Sequence, residues 1–225
     1  MKLIKPNLKI KTTRFKPVNF PPYMSTELAE FIGIHFGDGS IFVKKGTHTI
    51  SYCFNMKETE LIEHTKYIFK NLFKRDLKVI QIRKCAITMT CISKPLSYFL
   101  KINFLLPFGK KNHLTIPDNI KSSSEYMKSF LKGLHWTDGC TFIKTDKKYS
   151  YPIVKITTKI EPFAKEIQQE LIDLGFRATV GMKKGFNYVG YDVVLHGKEQ
   201  YEKWLSEISD KKKIKYGDAA IRTRI

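Results

Sequence analysis

The stretch FIGIHFGDG at residues 31–39 has a counterpart, LKGLHWTDG, at residues 131–139. Both join an apolar, helix-like run to a closing Asp-Gly pair. The matched residues are Gly33 with Gly133, His35 with His135, Asp38 with Asp138, and Gly39 with Gly139. Self-similarity at a fixed period indicates a repeated structural unit. The sequence therefore predicts two copies of one fold.

The segments around the two stretches repeat in the same order. Serine or threonine capping residues precede each helix, and a short strand follows it, SIFVK at 40–44 and CTFIK at 140–144. A second strand, an amphipathic helix, a strand pair and a last helix complete each copy. The predicted class is α+β, with two pseudo-symmetric α-β-β-α-β-β-α halves and antiparallel sheets.

The predicted organisation has five parts, which differ in composition. These are a basic N-terminal arm at 1–24, a first half at 25–105, a linker at 106–124, a second half at 125–210 and a basic tail at 211–225.

The chain is strongly basic, with 40 Lys and Arg against 21 Asp and Glu and a net charge of +19. A positive surface attracts polyanions, so nucleic acid is the predicted partner. No apolar run reaches the length of a membrane helix, and no secretory leader is recognisable. The four cysteines lack metal-site spacing and indicate reduced thiols. We expect an intracellular monomer without a membrane partner.

Strand alternation separates a buried face from a polar, basic face in each predicted sheet. Ile50, Tyr52 and Phe54 are predicted inward, and so is Ile80 of the third strand. Lys110 and Lys111 of the linker are predicted to touch phosphates. Side chains of the outward face could reach base edges in a DNA groove. The candidate DNA-binding residues are Ser40, Lys44, Thr49, Ser51, Asn55, Gln81, Arg83, Thr88, Lys144, Lys155, Thr157, Thr179, Lys183 and Tyr188.

Small residues lie four apart on the helix of each repeated stretch, Gly33 with Gly37 and Gly133 with Thr137. Such spacing allows two helix backbones to approach closely. Packing of the two copies along a pseudo-twofold axis would bring the C-terminal ends of these helices together.

Asp38 and Asp138 would then be neighbours. An isolated Asp-Gly pair is usually a helix-ending turn, but the matched placement favours function. Two adjacent carboxylates repel unless a cation lies between them, and hard oxygen ligands suit Mg²⁺, with Mn²⁺ as a substitute. The carbonyl groups of Gly37 and Thr137 are further candidate ligands. Such a metal site can support phosphodiester cleavage.

Both stretches resemble the signature of the LAGLIDADG homing endonucleases, and the doubled plan is similar to the monomeric, two-motif members. The likeness covers about residues 25–210 and extends to the linker sequence KKNHLTIP at 110–117. It implies two saddle-shaped sheets over the DNA major groove and double-strand cleavage that leaves short 3′ overhangs. It also implies that Asp38 and Asp138 bind the catalytic metal.

The resemblance further implies a basic catalytic residue at the end of the second strand of each copy. The matching positions are Lys57 and Lys159, which would order water and stabilise the phosphate. The alternative for each is a solvated lysine at a helix start. The pairing, 19 and 21 residues beyond the two acids, favours a catalytic role.

The sequence departs from the family pattern at His35-Phe36, at His135-Trp136 and at Lys132. His35 and His135 are interpreted as packed helix residues rather than zinc ligands, because no second ligand stands at a suitable spacing. Lys132 is expected to face solvent or the DNA backbone.

The predicted function is a site-specific DNA endonuclease with a long, imperfectly palindromic target. It is expected to be free-standing and intron-encoded rather than embedded in an intein, since no splicing-domain sequence flanks the repeats. The alternatives are an RNA maturase that binds intron RNA and a non-cutting DNA-binding protein.

Overall fold

The computed structural model describes residues 18–83, 85–146, 149–185 and 188–209. The predicted arm residues 1–17 and the tail 211–225 lie outside the described residues. The first half contains α1 Thr26–Asp38, β1 Gly39–Lys44, β2 Thr47–Asn55, α2 Thr59–Phe73, β3 Lys78–Arg83, β4 Ala86–Ile92 and α3 Lys94–Phe104. The remainder contains α4 Asp118–Lys121, α5 Ser124–Asp138, β5 Gly139–Asp146, β6 Tyr149–Thr158, α6 Glu161–Asp173, β7 Ala178–Gly185, β8 Tyr188–His196 and α7 Lys198–Glu207.

Each half contains one four-stranded antiparallel sheet, and the two sheets have the same topology. The strand orders are β1-β2-β4-β3 and β5-β6-β8-β7. Inward residues such as Ile41, Ile50 and Tyr52 are buried beneath the helices. We call the opposite side of each sheet the open face, and its residues alternate with the buried ones. The predicted α+β class and the repeated α-β-β-α-β-β-α plan are confirmed.

Helices α1 and α5 pack against each other at reciprocal glycines. A Cβ added to Gly33 would lie 2.1 Å from the carbonyl oxygen of Phe130. A Cβ added to Gly133 would lie 2.1 Å from the carbonyl oxygen of Glu30. Real side chains do not tolerate such contacts, so both positions need glycine. The predicted close approach of the two helices is confirmed.

A single apolar core runs through both halves. Phe36 of α1 contacts the second half, because its ring centroid lies 5.2 Å from that of Phe130 on α5. The same ring lies 5.6 Å from Phe163 on α6. Burial of aromatic side chains is a large apolar contribution to stability, so packing fixes the two halves relative to each other.

One strand residue differs from the sequence expectation. Ile80 was predicted inward but is exposed, because the register of β3 against β4 shifts between Val79 and Gln81. A bulge of this kind turns a side chain to the other face. The segment at 106–124 contains α4 and buries Leu114 and Ile120. Within the described residues, no helix has the length and apolarity that crossing a bilayer requires.

Candidate active site

The C-terminal tips of α1 and α5 meet. The last residues of these helices are Asp38 and Asp138. A Cβ added to Gly37 would lie 1.9 Å from Thr137 Oγ1 and 3.4 Å from Asp138 Cγ. The tips are therefore in contact, and each presents one carboxylate at the junction of the two halves.

The glycine after each acid is required by close approach. Gly39 and Gly139 have extended backbones rather than the left-handed conformation common at helix ends. A Cβ on Gly39 would lie 2.5 Å from the ring of His35, and one on Gly139 would lie 2.3 Å from the ring of His135. The Gly39 N–H donates to the His35 carbonyl. The chain therefore leaves the helix directly into a strand, which holds the preceding acid at the tip.

The two histidines are packed residues beneath the acids. His35 Nδ1 lies 2.8 Å from the hydroxyl of Tyr52, and both side chains are buried. Burial, reinforced by the charge of Lys111, lowers the pKa of His35 well below its usual value. His35 is therefore neutral in the folded protein. His135 Nε2 lies 3.4 Å from Thr141 Oγ1. These contacts agree with the packed interpretation.

Lys111 of the linker reaches the same helix tip. Its Nζ donates hydrogen bonds to the carbonyl oxygens of His35, Phe36 and Gly37, at 2.8, 2.7 and 2.7 Å. An ammonium at a helix C-terminus is favoured by the helix dipole. Burial lowers the pKa of Lys111 to about 8, although the charges of Asp138 and Asp38 act to raise it.

The position of Lys111 at the helix tip is a feature of the site that the sequence did not predict. The sequence predicts a phosphate contact for Lys111, and the structure places its ammonium part-buried at the tip of α1. The contact joins residues that are 74 to 76 positions apart in the chain. No local pattern could show it, although the repeated lysines in the linker marked the segment.

The tip has the ligand chemistry of a hard divalent cation. Two carboxylates lie at the junction, and the Lys111 ammonium, which binds the carbonyl oxygens at the end of α1, interacts with both of them. Mg²⁺ is commonly held by one or two carboxylates, with substrate phosphates and water completing its shell. Asp38 and Asp138 therefore fit a shared metal site. The Gly37 carbonyl, a predicted ligand, accepts from Lys111. The Thr137 hydroxyl donates to the Leu134 carbonyl at 2.9 Å.

Lys57 and Lys159 do not occupy equivalent positions. Gly39 pairs with Tyr52, so Lys57 lies five residues beyond the partner of the motif glycine. Gly139 pairs with Ile156, so Lys159 lies three residues beyond it. Both lysines are exposed, and the backbone N–H of Lys57 donates to Asn55 Oδ1 at 3.0 Å. The first-half counterpart of Lys159 is Asn55.

The candidate DNA-binding residues share the open faces of the two sheets by strand register. Ser40 of β1 pairs with Ser51 of β2. Lys155 of β6 and Thr179 of β7 both pair with Val194 of β8. Gln81, Arg83 and Tyr188 have backbone positions in β3 and β8, and their side chains lie outside the described part of the structure. The predicted members on these faces are Ser40, Lys44, Thr49, Ser51, Asn55, Thr88, Lys144, Lys155, Thr157, Thr179 and Lys183.

One acidic residue on the open face contradicts the expectation of a face without acids. Asp192 of β8 accepts a hydrogen bond from Thr157 Oγ1 at 2.7 Å and pairs with Lys155 Nζ at 3.3 Å. It is the single carboxylate among the described side chains of the two open faces. The alternation of β8 already placed this position outward, so the signal was present in the sequence.

Lys132 was expected to face solvent or DNA, but it reaches across the helix pair. Its Nζ lies 3.4 Å from Oε1 of Glu30 on α1. The same carboxylate oxygen lies 2.9 Å from His64 Nε2 on α2. The lysine therefore links the two halves through a carboxylate that is largely buried.

Comparison with known proteins supports the resemblance to the LAGLIDADG family. Residues 125–209 match the family model of the LAGLIDADG-like domain. A curated relative, an A-type ATP synthase subunit from Pyrococcus abyssi, is 26% identical over 202 residues. That match covers 89% of this chain but 18% of the relative, so the chain corresponds to a small part of that protein.

Solved structures share the fold of most of the chain. Mesophilic variants of the homing endonuclease I-DmoI give a TM-score of 0.60 at 18% identity, covering 83% of this chain and 96% of theirs. The N-terminal LAGLIDADG domain of DUF199/WhiA gives 0.52 at 17% identity, covering 86% and 88%. The homing endonuclease I-GzeII in complex with its DNA target gives 0.52 at 13% identity, covering 83% and 84%. The fold is the LAGLIDADG homing endonuclease fold.

Proposed function

We propose that this chain, with its LAGLIDADG fold, is a site-specific endonuclease of double-stranded DNA. The observation that carries the proposal is the junction of α1 and α5. There, two carboxylates from matching helices and one part-buried ammonium meet between two basic open faces. A purely structural scaffold gains no stability from such a repulsive pair of acids, so the arrangement favours a role toward phosphate.

Asp38 and Asp138 would hold the divalent cation, with Mg²⁺ as the expected ion and Mn²⁺ as a substitute. When bound, such an ion supplies Lewis-acid stabilisation of the phosphodiester oxygens. Solved structures of I-DmoI contain its DNA with Mn or with Ca, which supports the same class of ion here. The carbonyl groups of Gly37 and Thr137 remain candidate ligands.

The lysines would act on the charge that develops at the phosphate. Lys111 donates its three N–H groups to three carbonyl groups, so its ammonium would act on an anionic oxygen through its fixed charge. Its pKa of about 8 makes the charged form dominant at neutral pH. We assign Lys159 and Lys57 to ordering water and contacting phosphate. Their unequal register predicts unequal contributions.

The substrate would be a long, asymmetric DNA site read in the major groove. Matching positions on the two open faces carry different side chains, such as Ser51 against Lys155 and Thr88 against Asp192. A two-fold symmetric sequence would not fit both. By resemblance to the family, we propose a monomer that is intron-encoded, acts inside the cell and leaves short 3′ overhangs.

The rival proposals are an RNA maturase and a non-cutting DNA-binding protein of the same fold. A binder must attract phosphate, and two acids at the junction oppose that attraction. Their retention beside Lys111 therefore favours cleavage. A maturase could also retain the site, so an RNA-splicing assay belongs beside the DNA assay.

The experiment is a cleavage assay on a selected target. The full chain first selects bound sequences from a random duplex library without Mg²⁺, and the enriched duplex is then incubated with Mg²⁺. We expect double-strand breaks with wild type and none with Asp38→Asn or Asp138→Asn, while both variants still bind. Selection of a defined sequence without cleavage in Mg²⁺ or Mn²⁺ would refute nuclease activity and favour a binder.

A further inference from the structure

We propose that Asp192 and Lys155 form a reading pair for one C·G base pair in the half-site covered by the second half. The inference rests on the proposed function, and it deepens that function by assigning a sequence preference. Among the described side chains of the two open faces, Asp192 carries the one negative charge.

The carboxylate of Asp192 is fixed by two neighbours on the open face. Thr157 donates to Oδ1 at 2.7 Å, and Lys155 Nζ lies 3.3 Å from Oδ2. The Lys155 ammonium also lies 5.7 Å from the centroid of the Phe142 ring. The side chains of Lys155 and Asp192 are only 20% and 17% exposed. The pair is therefore held in place, so little side-chain freedom would be lost on binding.

The pair is unsuited to contacting phosphate. Asp192 offsets the charge of Lys155, and its carboxylate does not attract the DNA backbone. A role in non-specific affinity for DNA would favour a neutral or basic residue in place of Asp192. In the first half the position that matches Asp192 is held by a neutral residue, Thr88.

The pair presents an acceptor beside a donor, which is the complement of a C·G pair in the major groove. Cytosine offers its N4 amino group as a donor, and a carboxylate is its usual protein partner. Guanine offers two acceptors, O6 and N7, and a lysine ammonium can donate to both. Lys155 has further N–H groups beyond the one that meets Asp192.

Strand register places the read base pair on the side of the half-site nearer the helix tips. Gly139, which follows Asp138, pairs with Ile156. Thr157 is the next residue along β6, and it pairs directly with Asp192. The reading pair therefore lies level with the end of α5 rather than at the outer end of the sheet.

The test compares sequence preferences of the full chain after selection from a random duplex library without Mg²⁺. Wild type is expected to prefer C·G at one position by about tenfold. Asp192→Thr, which installs the first-half residue, should lose that preference and keep the others. Asp192→Asn should shift the preference toward adenine, the usual partner of an asparagine. Asp173→Asn, which removes an exposed charge from α6, is the matched control.

Each outcome separates the two proposals. If Asp192→Thr binds every sequence more tightly and changes no position of the motif, Asp192 acts only through charge and the reading pair is wrong. If wild type selects no defined sequence, site-specific binding fails and the proposed function fails with it. Loss of preference at one base pair, with the rest of the motif retained, supports both.

Discussion

Substitution of Gly33 by alanine tests the packing on which the active site depends. In an ordinary helix this change stabilises by about 1 kcal/mol, because alanine is the better helix former. Here the added Cβ would lie 2.1 Å from the Phe130 carbonyl oxygen and 2.8 Å from the Leu134 nitrogen. Both are backbone atoms of α5, so no rotamer change relieves the contact.

Relief therefore requires the two helices to separate by about 1 Å, since such contacts are not found below 3.0 Å. Overpacking of this kind costs about 1–3 kcal/mol, or more when backbone must move. We expect a net loss in the free energy of unfolding of about 2 kcal/mol. The helix tips would shift as well, and a displacement of 1 Å at reacting groups can slow catalysis about 100-fold.

The assay is urea denaturation followed by circular dichroism, with cleavage of the selected duplex as the second readout. Gly133→Ala should behave alike, because its Cβ would meet the Glu30 carbonyl oxygen at 2.1 Å. Gly181→Ala is the control for the urea readout, since an added Cβ there meets nothing within 4 Å. A Gly33→Ala protein that is more stable than wild type by about 1 kcal/mol would refute the close packing of α1 and α5.

The remaining predictions concern the titratable groups at the helix tips. Asp38→Asn and Asp138→Asn should each slow cleavage at least about 100-fold, with an affinity for the duplex equal to or above that of wild type. Cleavage at the wild-type rate would contradict the catalytic assignment of these two residues. Lys111 loses its charge as pH rises through about 8, so the wild-type cleavage rate should fall over that pH range. Lys111→Met should cleave slowly at every pH and show no fall near pH 8. Lys110→Met, the control, should show the same fall as wild type. His35 is held neutral by burial, so below its ordinary pKa of about 6.5 the unfolded chain binds the extra proton. The free energy of unfolding of wild type should then decrease as pH falls. In acid denaturation the decrease should be shallower for His35→Gln. Equal slopes of the free energy of unfolding against pH would contradict a buried, neutral His35.

The repeat made the architecture predictable from the sequence. Gly33 and Gly133 recur with the Asp-Gly pairs and the strands that follow them, so each copy supported the interpretation of the other. The helix crossing follows from small residues at helical spacing, which is a local pattern with one strong physical interpretation. The buried and open faces followed from strand alternation. The prediction for Ile80 was wrong because strand alternation alone does not reveal a bulge.

The remaining features depend on contacts that chain spacing does not encode. Lys111 reaches the helix tip across 74 residues. The spacings of Lys57 and Lys159 from the acids, 19 and 21 residues, look matched along the chain. The second hairpin has longer strands, however, since β5 has eight residues and β1 has six. The two lysines therefore differ in register. Only the paired strands show this, because strand length is weakly determined by sequence.

The central claim is that Asp38 and Asp138 share a metal site at the meeting point of two helices. Crystals of the protein with its selected duplex, grown with Mn²⁺, test it directly through the anomalous signal of the ion. The account predicts a peak at coordination distance, about 2.2 Å, from carboxylate oxygens of both residues. Carboxylates that point apart, with Mn²⁺ bound elsewhere or on neither acid while the DNA is cut, would contradict it.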